Sequence, residues 1–193
     1  SKQRGIEGWE TATGKPLQKI LKKNDYKSGR ELLFLPDEKR ALVYKNGPAN
    51  IIDLKNDSIL LSFNGNTDSI SKLFVSGDGS LAVSCSDNGK ADIWDLATGN
   101  LLSSFELPFN SIGTGLFSPD NKLFITTEQG GAKYAYVWNV STKEITDTLG
   151  GGVHLIKSVV FSNTGNKVAI GFFNGLISLW DTEKGEQLWE KQF

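Results

Sequence analysis

The sequence predicts an all-β chain assembled from repeated four-stranded antiparallel units, and three observations carry that prediction. A pattern centred on Trp94 returns at Trp9, Ile52, Trp138 and Trp180, at intervals of 43, 42, 44 and 42 residues. Each copy is an apolar run ending in Trp or Ile, followed by an acidic or polar residue and a turn. Ala91-Asp92-Ile93-Trp94-Asp95-Leu96-Ala97-Thr98-Gly99 is the fullest copy, and Trp180-Asp181 repeats its central dipeptide. A second turn recurs in phase: Phe34-Leu35-Pro36-Asp37, Val75-Ser76-Gly77-Asp78-Gly79, Phe117-Ser118-Pro119-Asp120 and Phe161-Ser162-Asn163-Thr164-Gly165. Proline presets φ for such a turn, while Gly, Asp and Asn tolerate the left-handed backbone of a tight hairpin. Finally, the apolar runs have strand length, and no segment sustains a helical period.

A repeat of about 40 to 45 residues holding four short strands is the unit of a β-propeller. The two phased motifs resemble the WD-repeat family, and the resemblance spans essentially the whole chain. It implies blades whose strands a, b, c and d run outward from a central channel, with the Trp-Asp pair closing strand c.

Taken in that frame, residues 1–21 read as half a blade, with Ile6 to Trp9 as a strand c and Leu17 to Leu21 as a strand d. The first full blade, about 30–63, takes Arg30 to Leu35, Arg40 to Tyr44, Ala49 to Asp53 and Ile59 to Phe63. The second, 70–105, takes Ile70 to Val75, Ser80 to Ser84, Lys90 to Trp94 and Leu101 to Phe105. The third, 112–149, takes Ile112 to Phe117, Lys122 to Thr126, Lys133 to Trp138 and Ile145 to Leu149. The fourth, 156–193, takes Ile156 to Phe161, Lys167 to Gly171, Leu176 to Trp180 and Gln187 to Glu190. Four blades and a half fall short of a typical ring of about seven, so the expectation is an open arc or part of a larger ring. Its end faces would expose surfaces that ordinarily pack on a neighbour, which makes self-association the alternative to a longer chain.

Composition suits a soluble globular protein, with 38% apolar and 22% charged residues, and no apolar run reaches the length of a membrane span. A cytoplasmic or nuclear setting is the default. Cys85 is the sole cysteine, so no internal disulfide forms, and its apolar surroundings predict a buried thiol. Asn56-Asp57-Ser58 and Asn139-Val140-Ser141 match the glycosylation acceptor pattern and read as chance matches.

The sequence also departs from the family. Strong members carry Gly-His before strand a and Asp in the b–c turn, joined with a Ser or Thr and the Trp in a buried hydrogen-bond network. The His position holds Asp25, Asn66, Pro108 and Gly152, and the turn position holds Asn46, Asn88 and Asn174, with the third blade's turn lengthened around Gln129-Gly130-Gly131. His154 lies two residues past its expected place. The network is therefore expected to be absent from every blade, leaving stability to apolar packing.

No catalytic, cofactor or metal site is expected. One His and one Cys do not make a zinc site, and no nucleophile turn accompanies His154. Ser86-Asp87-Asn88-Gly89 superficially matches sialidase-type turns but lacks the following Thr-Trp pair. The glycines at 130–131 and 150–152 open no helix and so cradle no phosphate. Lys15, Lys19, Lys22, Lys23, Lys27 and Arg30 form a basic patch opposed only by Asp25, in a chain of net charge −1. A solvated edge strand that resists aggregation accounts for it better than a nucleic-acid site, although a ribosome-assembly type of scaffold is the alternative function.

Protein binding suits the geometry, since a propeller presents loops on a rigid frame. The resemblance places partners on the face of the d–a and b–c loops, where the candidates are Tyr26, Phe109, His154, Phe172 and Phe173. Alternation puts Phe172 on the side of Val168 and Ile170, towards the core, and leaves Phe173 as the sharper candidate. The reading is a non-enzymatic interaction scaffold or sensor module, similar also to the propellers that follow the switch domain of NACHT-type proteins.

Overall fold

The computed structural model describes residues 31–44, 49–56, 58–63 and 70–193. Among them are sixteen strands in four antiparallel sheets of four, each a simple meander. Blade 1 holds β1 (Glu31–Phe34), β2 (Arg40–Tyr44), β3 (Asn50–Asp53) and β4 (Ser58–Ser62). Blade 2 holds β5 (Ile70–Val75), β6 (Leu81–Ser86), β7 (Lys90–Asp95) and β8 (Leu101–Glu106). Blade 3 holds β9 (Ile112–Phe117), β10 (Leu123–Glu128), β11 (Tyr134–Asn139) and β12 (Ile145–Gly150). Blade 4 holds β13 (Ile156–Phe161), β14 (Lys167–Phe172), β15 (Leu176–Asp181) and β16 (Gln187–Gln192). Within the described residues the strands match those expected to within a residue or two. The expected half blade at 1–21 lies outside them.

The two recurring motifs are turn devices. In the c–d turns, one carboxylate or amide oxygen accepts two backbone N–H groups. Asp95 takes those of Ala97 and Thr98, both at 2.8 Å, Asn139 those of Ser141 and Thr142, and Asp181 those of Glu183 and Lys184. This is why an acidic or amide residue follows the Trp. In the a–b turns Ser76 and Ser118 donate to Asp78 and Asp120 at 2.7 Å while accepting the N–H groups of Leu81 and Leu123. Every strand c also shifts register against strand d at its Trp or Ile position, a bulge that bends the outer strand at the same place in each blade.

Packing runs between the blades. One core cluster joins Leu42, Ile51 and Phe63 to Leu73, Ala82 and Trp94, and a second joins Val83, Ile93 and Phe105 to Phe124 and Trp138. A third joins Ile125, Val137 and Leu149 to Val168, Ile170 and Trp180. Each Trp thus faces the strand d of the preceding blade. The c–d turns of blades 2 and 4 meet that strand at a glycine, whereas blade 3 carries Lys143 at the equivalent position, also at positive φ. A Cβ on Gly99 would collide with Leu61, and one on Gly185 with Asp147, and both glycines also hold positive φ, 73° and 65°.

The buried hydrogen-bond network expected to be missing is half present. Trp94 Nε1 donates to Ser84 Oγ and Trp138 Nε1 to Thr126 Oγ1, both at 2.8 Å and buried. In blade 4 Trp180 Nε1 donates to Ser178 Oγ at the same distance. An indole N–H taken out of water needs an acceptor, and the hydroxyls supply it whatever stands at the His position.

Candidate functional site

The sequence-derived candidates separate once the blades are in place. Tyr26 and the basic residues Lys15, Lys19, Lys22, Lys23, Lys27 and Arg30 lie outside the described residues. Phe109 sits inside the protein, 8% exposed, with its ring 5.6 Å from that of Tyr136. Leu107 N–H donates to Gly89 O at 2.8 Å and folds the loop back over the b–c turn, which drives Phe109 into the gap between blades 2 and 3. It is a core residue rather than an interface anchor. Phe172 is 7% exposed and Phe173 68%, as strand alternation requires. His154 is half-buried and committed. The Asn174 side-chain amide donates to its Nδ1 at 3.1 Å, and its ring stands edge-on to Phe172. So although His154 lies past the family position, it still reaches the b–c turn of its own blade.

Phe173 forms one wall of a cleft of about 460 Å³ at the junction of blades 3 and 4. Facing it is the lengthened b–c turn of blade 3, residues 129–133, where blades 2 and 4 have only 87–89 and 173–175. That turn is pinned on both sides: Gln129 N–H donates to Ser111 O at 2.9 Å, and Ile156 N–H to Ala132 O at 2.7 Å. Ser111 Oγ also donates to Gln129 Oε1. Leu155 and Val159 add apolar lining, and Glu128 and Lys157 stand on opposite blades. On the other side of the same turn a second hollow is lined by Tyr134, Tyr136 and Lys133. The Tyr134 and Tyr136 rings lie 6.3 Å apart, and burial, with the Glu128 charge, holds the Tyr136 hydroxyl above its ordinary pKa.

Sequence reasoning did not select Tyr134, Tyr136, Glu128, Leu155 or Lys157. The available signal was the longer turn together with alternation along β11, which puts the two tyrosines on one face.

A second feature lies on the blade 2 face that meets blade 1. Asp92 is fully buried; its Oδ1 accepts Ser104 Oγ at 2.5 Å and lies 3.7 Å from Lys90 Nζ, while Oδ2 has no hydrogen-bond partner among the described residues. Burial and the Asp92 charge push the Cys85 thiol up to about 12, so it stays protonated and unreactive at neutral pH. In blade 1 the equivalent strand c residue, Asn50, accepts Ser62 Oγ at 2.6 Å, which marks the Asp92–Ser104 pair as a strand c to strand d staple. Among the described residues, no three His, Cys, Asp or Glu side chains converge, and no helix is long and apolar enough to cross a membrane.

Comparison with known proteins agrees with the blade geometry. Residues 57–95, from the outer strand of blade 1 through Trp94-Asp95 of blade 2, match the model of the WD domain, G-beta repeat. No curated protein sequence matches the chain.

Proposed function

From a chain built of WD40-repeat blades, we propose a non-enzymatic interaction scaffold or sensor module that binds protein partners at the b–c turn end of blades 3 and 4. Its setting is cytoplasmic or nuclear. WD40 modules commonly serve as interaction scaffolds, and the observation that carries the location is Phe173. It is a large aromatic side chain 68% exposed at the rim of a cleft, on a turn held in place by Phe173 N–H donating to Leu155 O at 3.0 Å. Val153 and Leu155 on the loop between β12 and β13 and Tyr134 at the start of β11 are also exposed, so the apolar surface at this junction is more than a single side chain. Exposed aromatics on rigid turns are the usual anchors of interfaces, because little entropy is lost in fixing them.

The test compares proteins captured from lysate by the wild-type chain, by Phe173→Ala, and by Glu183→Ala at the c–d turn end. Loss of the same partners with Phe173→Ala alone supports the assignment. Equal capture by all three places the binding surface elsewhere.

A second reading, self-association, is favoured by the exposed apolar residues on blade 4. Leu61, Ser103 and Asp147 occupy one register position on the outer strands of blades 1 to 3, and Trp189 occupies it in blade 4. Trp189 is 44% exposed, and Val160, in the same register row on the opposite edge strand of that sheet, 57%. Light scattering of the wild type against Trp189→Asp decides: a concentration-dependent oligomer lost in the variant supports the reading, and a wild-type monomer at all concentrations ends it.

A further inference from the structure

The lengthened turn of blade 3 has a second side, turned towards blade 2, and its chemistry differs from that of the cleft beside Phe173. β10 and β11 pair Thr126 with Tyr136 and Thr127 with Ala135, so the next residues, Glu128 and Tyr134, come opposite each other on the face that carries Tyr136. These three side chains line a hollow of about 320 Å³ that Gly131, Ala132 and Lys133 complete. The two tyrosine rings lie 6.3 Å apart, and Phe109 of blade 2 packs on the Tyr136 ring at 5.6 Å. Tyr134 is 42% exposed, with its ring over Gly151, where a Cβ would come within 2.8 Å of it. Tyr136 is thus packed from within, while Tyr134 stays open to a ligand.

The electrostatics of this hollow are one-sided. Glu128 is exposed, and among the described residues it enters no ion pair and no side-chain hydrogen bond. Its charge reaches the Tyr136 hydroxyl, whose pKa is raised by burial first and then by Glu128 and Tyr134. Lys133 does not answer that charge: among the described residues no ammonium pairs with Glu128 or lies over either tyrosine ring. Other exposed aromatics have a cation of their own, Lys157 Nζ 5.9 Å from the centre of the Phe173 ring and Lys191 Nζ 5.2 Å from that of Phe193. The tyrosine pair has a carboxylate in that place.

Resting on the protein-binding reading above, we propose that this hollow takes the side chain of a basic residue, arginine or lysine, from a protein partner, with its charged end between Glu128 and the Tyr134 ring. A cation gains from the ring face and from the carboxylate at once, and its methylene stem covers the apolar surface beside them. Arginine fits best, because a planar guanidinium stacks on a ring while donating to a carboxylate. Other occupants meet the same wall badly. A wholly apolar side chain would cover Glu128 without supplying a partner. Phosphate, or an acidic peptide, would bring like charge against Glu128. A divalent metal ion needs more oxygen ligands than one carboxylate supplies, and among the described residues no three His, Cys, Asp or Glu side chains converge. Phe173 faces the same turn, 129–133, from its other side, so a partner segment that covers Phe173 has only that turn to cross to place its base here.

The experiment selects a displayed library of short random peptides on the immobilised 193-residue chain. The selected peptides are then measured on Glu128→Gln, Glu128→Lys, Tyr134→Leu, Tyr134→Phe and Phe173→Ala, each first shown to unfold cooperatively. The expected result is enrichment of peptides with Arg or Lys at a fixed place. Their binding should be weakened about tenfold by Glu128→Gln or Tyr134→Leu, further by Glu128→Lys, and kept by Tyr134→Phe, which retains the ring. Replacing the one base of the peptide by Gln should weaken binding as much as Glu128→Gln does. Peptides weakened by Phe173→Ala but indifferent to Glu128→Lys and Tyr134→Leu overturn the basic-residue site and leave the protein-binding surface standing. Peptides that respond to Glu128→Lys but not to Tyr134→Leu are held by general charge attraction, which overturns the site as well. A folded wild-type chain that enriches nothing, or only peptides indifferent to every variant, overturns both readings.

Discussion

In blades 2 and 3 the Trp of strand c donates its indole N–H across the sheet to a hydroxyl on strand b, Ser84 or Thr126. In blade 4 the strand b position holds Ile170, and the hydroxyl comes instead from Ser178, which is paired with Ile170 on strand c itself. Blade 1 has neither part. Ile52 replaces the Trp, Val43 stands at the strand b position, and both are buried in an apolar cluster. The requirement is thus chemical rather than positional. A buried N–H must have an acceptor, but the acceptor's strand is free to change, and donor and acceptor are also dispensable together. The blades differ in cover as well. Trp94 packs on the Phe63 ring at 5.1 Å and Trp138 on Phe105 at 4.7 Å, whereas Trp180 packs against an aliphatic-rich cluster that includes Leu149 and stays partly exposed.

The largest effect that would break this comparison is loss of the ring itself. Trp94→Ala and Trp138→Ala should each cost about 3–5 kcal/mol, as removal of a buried aromatic does. Trp180→Ala should cost about 1–3 kcal/mol, because part of its surface is already wet and no aromatic ring is paired with it among the described residues. Urea unfolding midpoints of the three variants measure the difference. A Trp180→Ala penalty equal to that of Trp94→Ala would show that the covering residue is irrelevant.

Smaller changes test the moved hydroxyl. Ser84→Ala strands a buried indole N–H and should cost about 1–3 kcal/mol. Ser178→Ala leaves its indole nearer to water and should cost about 1 kcal/mol. Ile170→Thr restores a hydroxyl at the strand b position used by blades 2 and 3, so it should be less harmful in the Ser178→Ala background than in the wild type. A double-mutant cycle with coupling of about 0.5 kcal/mol or more is the expected reading. Additive penalties would mean that the two hydroxyl positions are not interchangeable.

Much of this architecture was legible before the structure, because its signals are local. The Asp after the Trp and the Ser-x-Asp turns each act within a few residues, and their recurrence at the repeat interval placed the strands. The outward turn of Phe173 followed from alternation alone. What escaped lay outside those local patterns. The hydrogen-bond network was judged by its His and turn Asp positions, so the Trp–hydroxyl bonds of Ser84, Thr126 and Ser178 were all overlooked. Phe109 was placed on a loop face, although the loop folds back and buries it against Tyr136. The cleft itself arises from two extra residues in one turn meeting the neighbouring blade. Turn length was readable, but what the turn faces was not.

The smallest expected effect sets two carboxylates in unlike places against each other. In the a–b turn of blade 2, the Ser80 backbone N–H and then the Ser76 hydroxyl hold the Asp78 carboxyl down to about 2. At the blade 3 to blade 4 junction Asp147 stands where blade 1 has Leu61, and burial raises its pKa. The unfolded reference for both is about 3.9. Asp78, depressed on folding, contributes stability above that value and loses it as pH falls towards 2. Asp147, raised on folding, opposes folding when ionised, and that opposition lifts as the pH is lowered through its elevated pKa. Both groups are substantially solvated, so screening keeps either contribution small. Measured as Tm against pH on the acid limb, Asp78→Asn should flatten the fall in stability and Asp147→Asn should steepen it. Shifts of the same sign in the two variants would mean that the buried junction and the open turn present their carboxylates with the same environment, contrary to the difference between the blades.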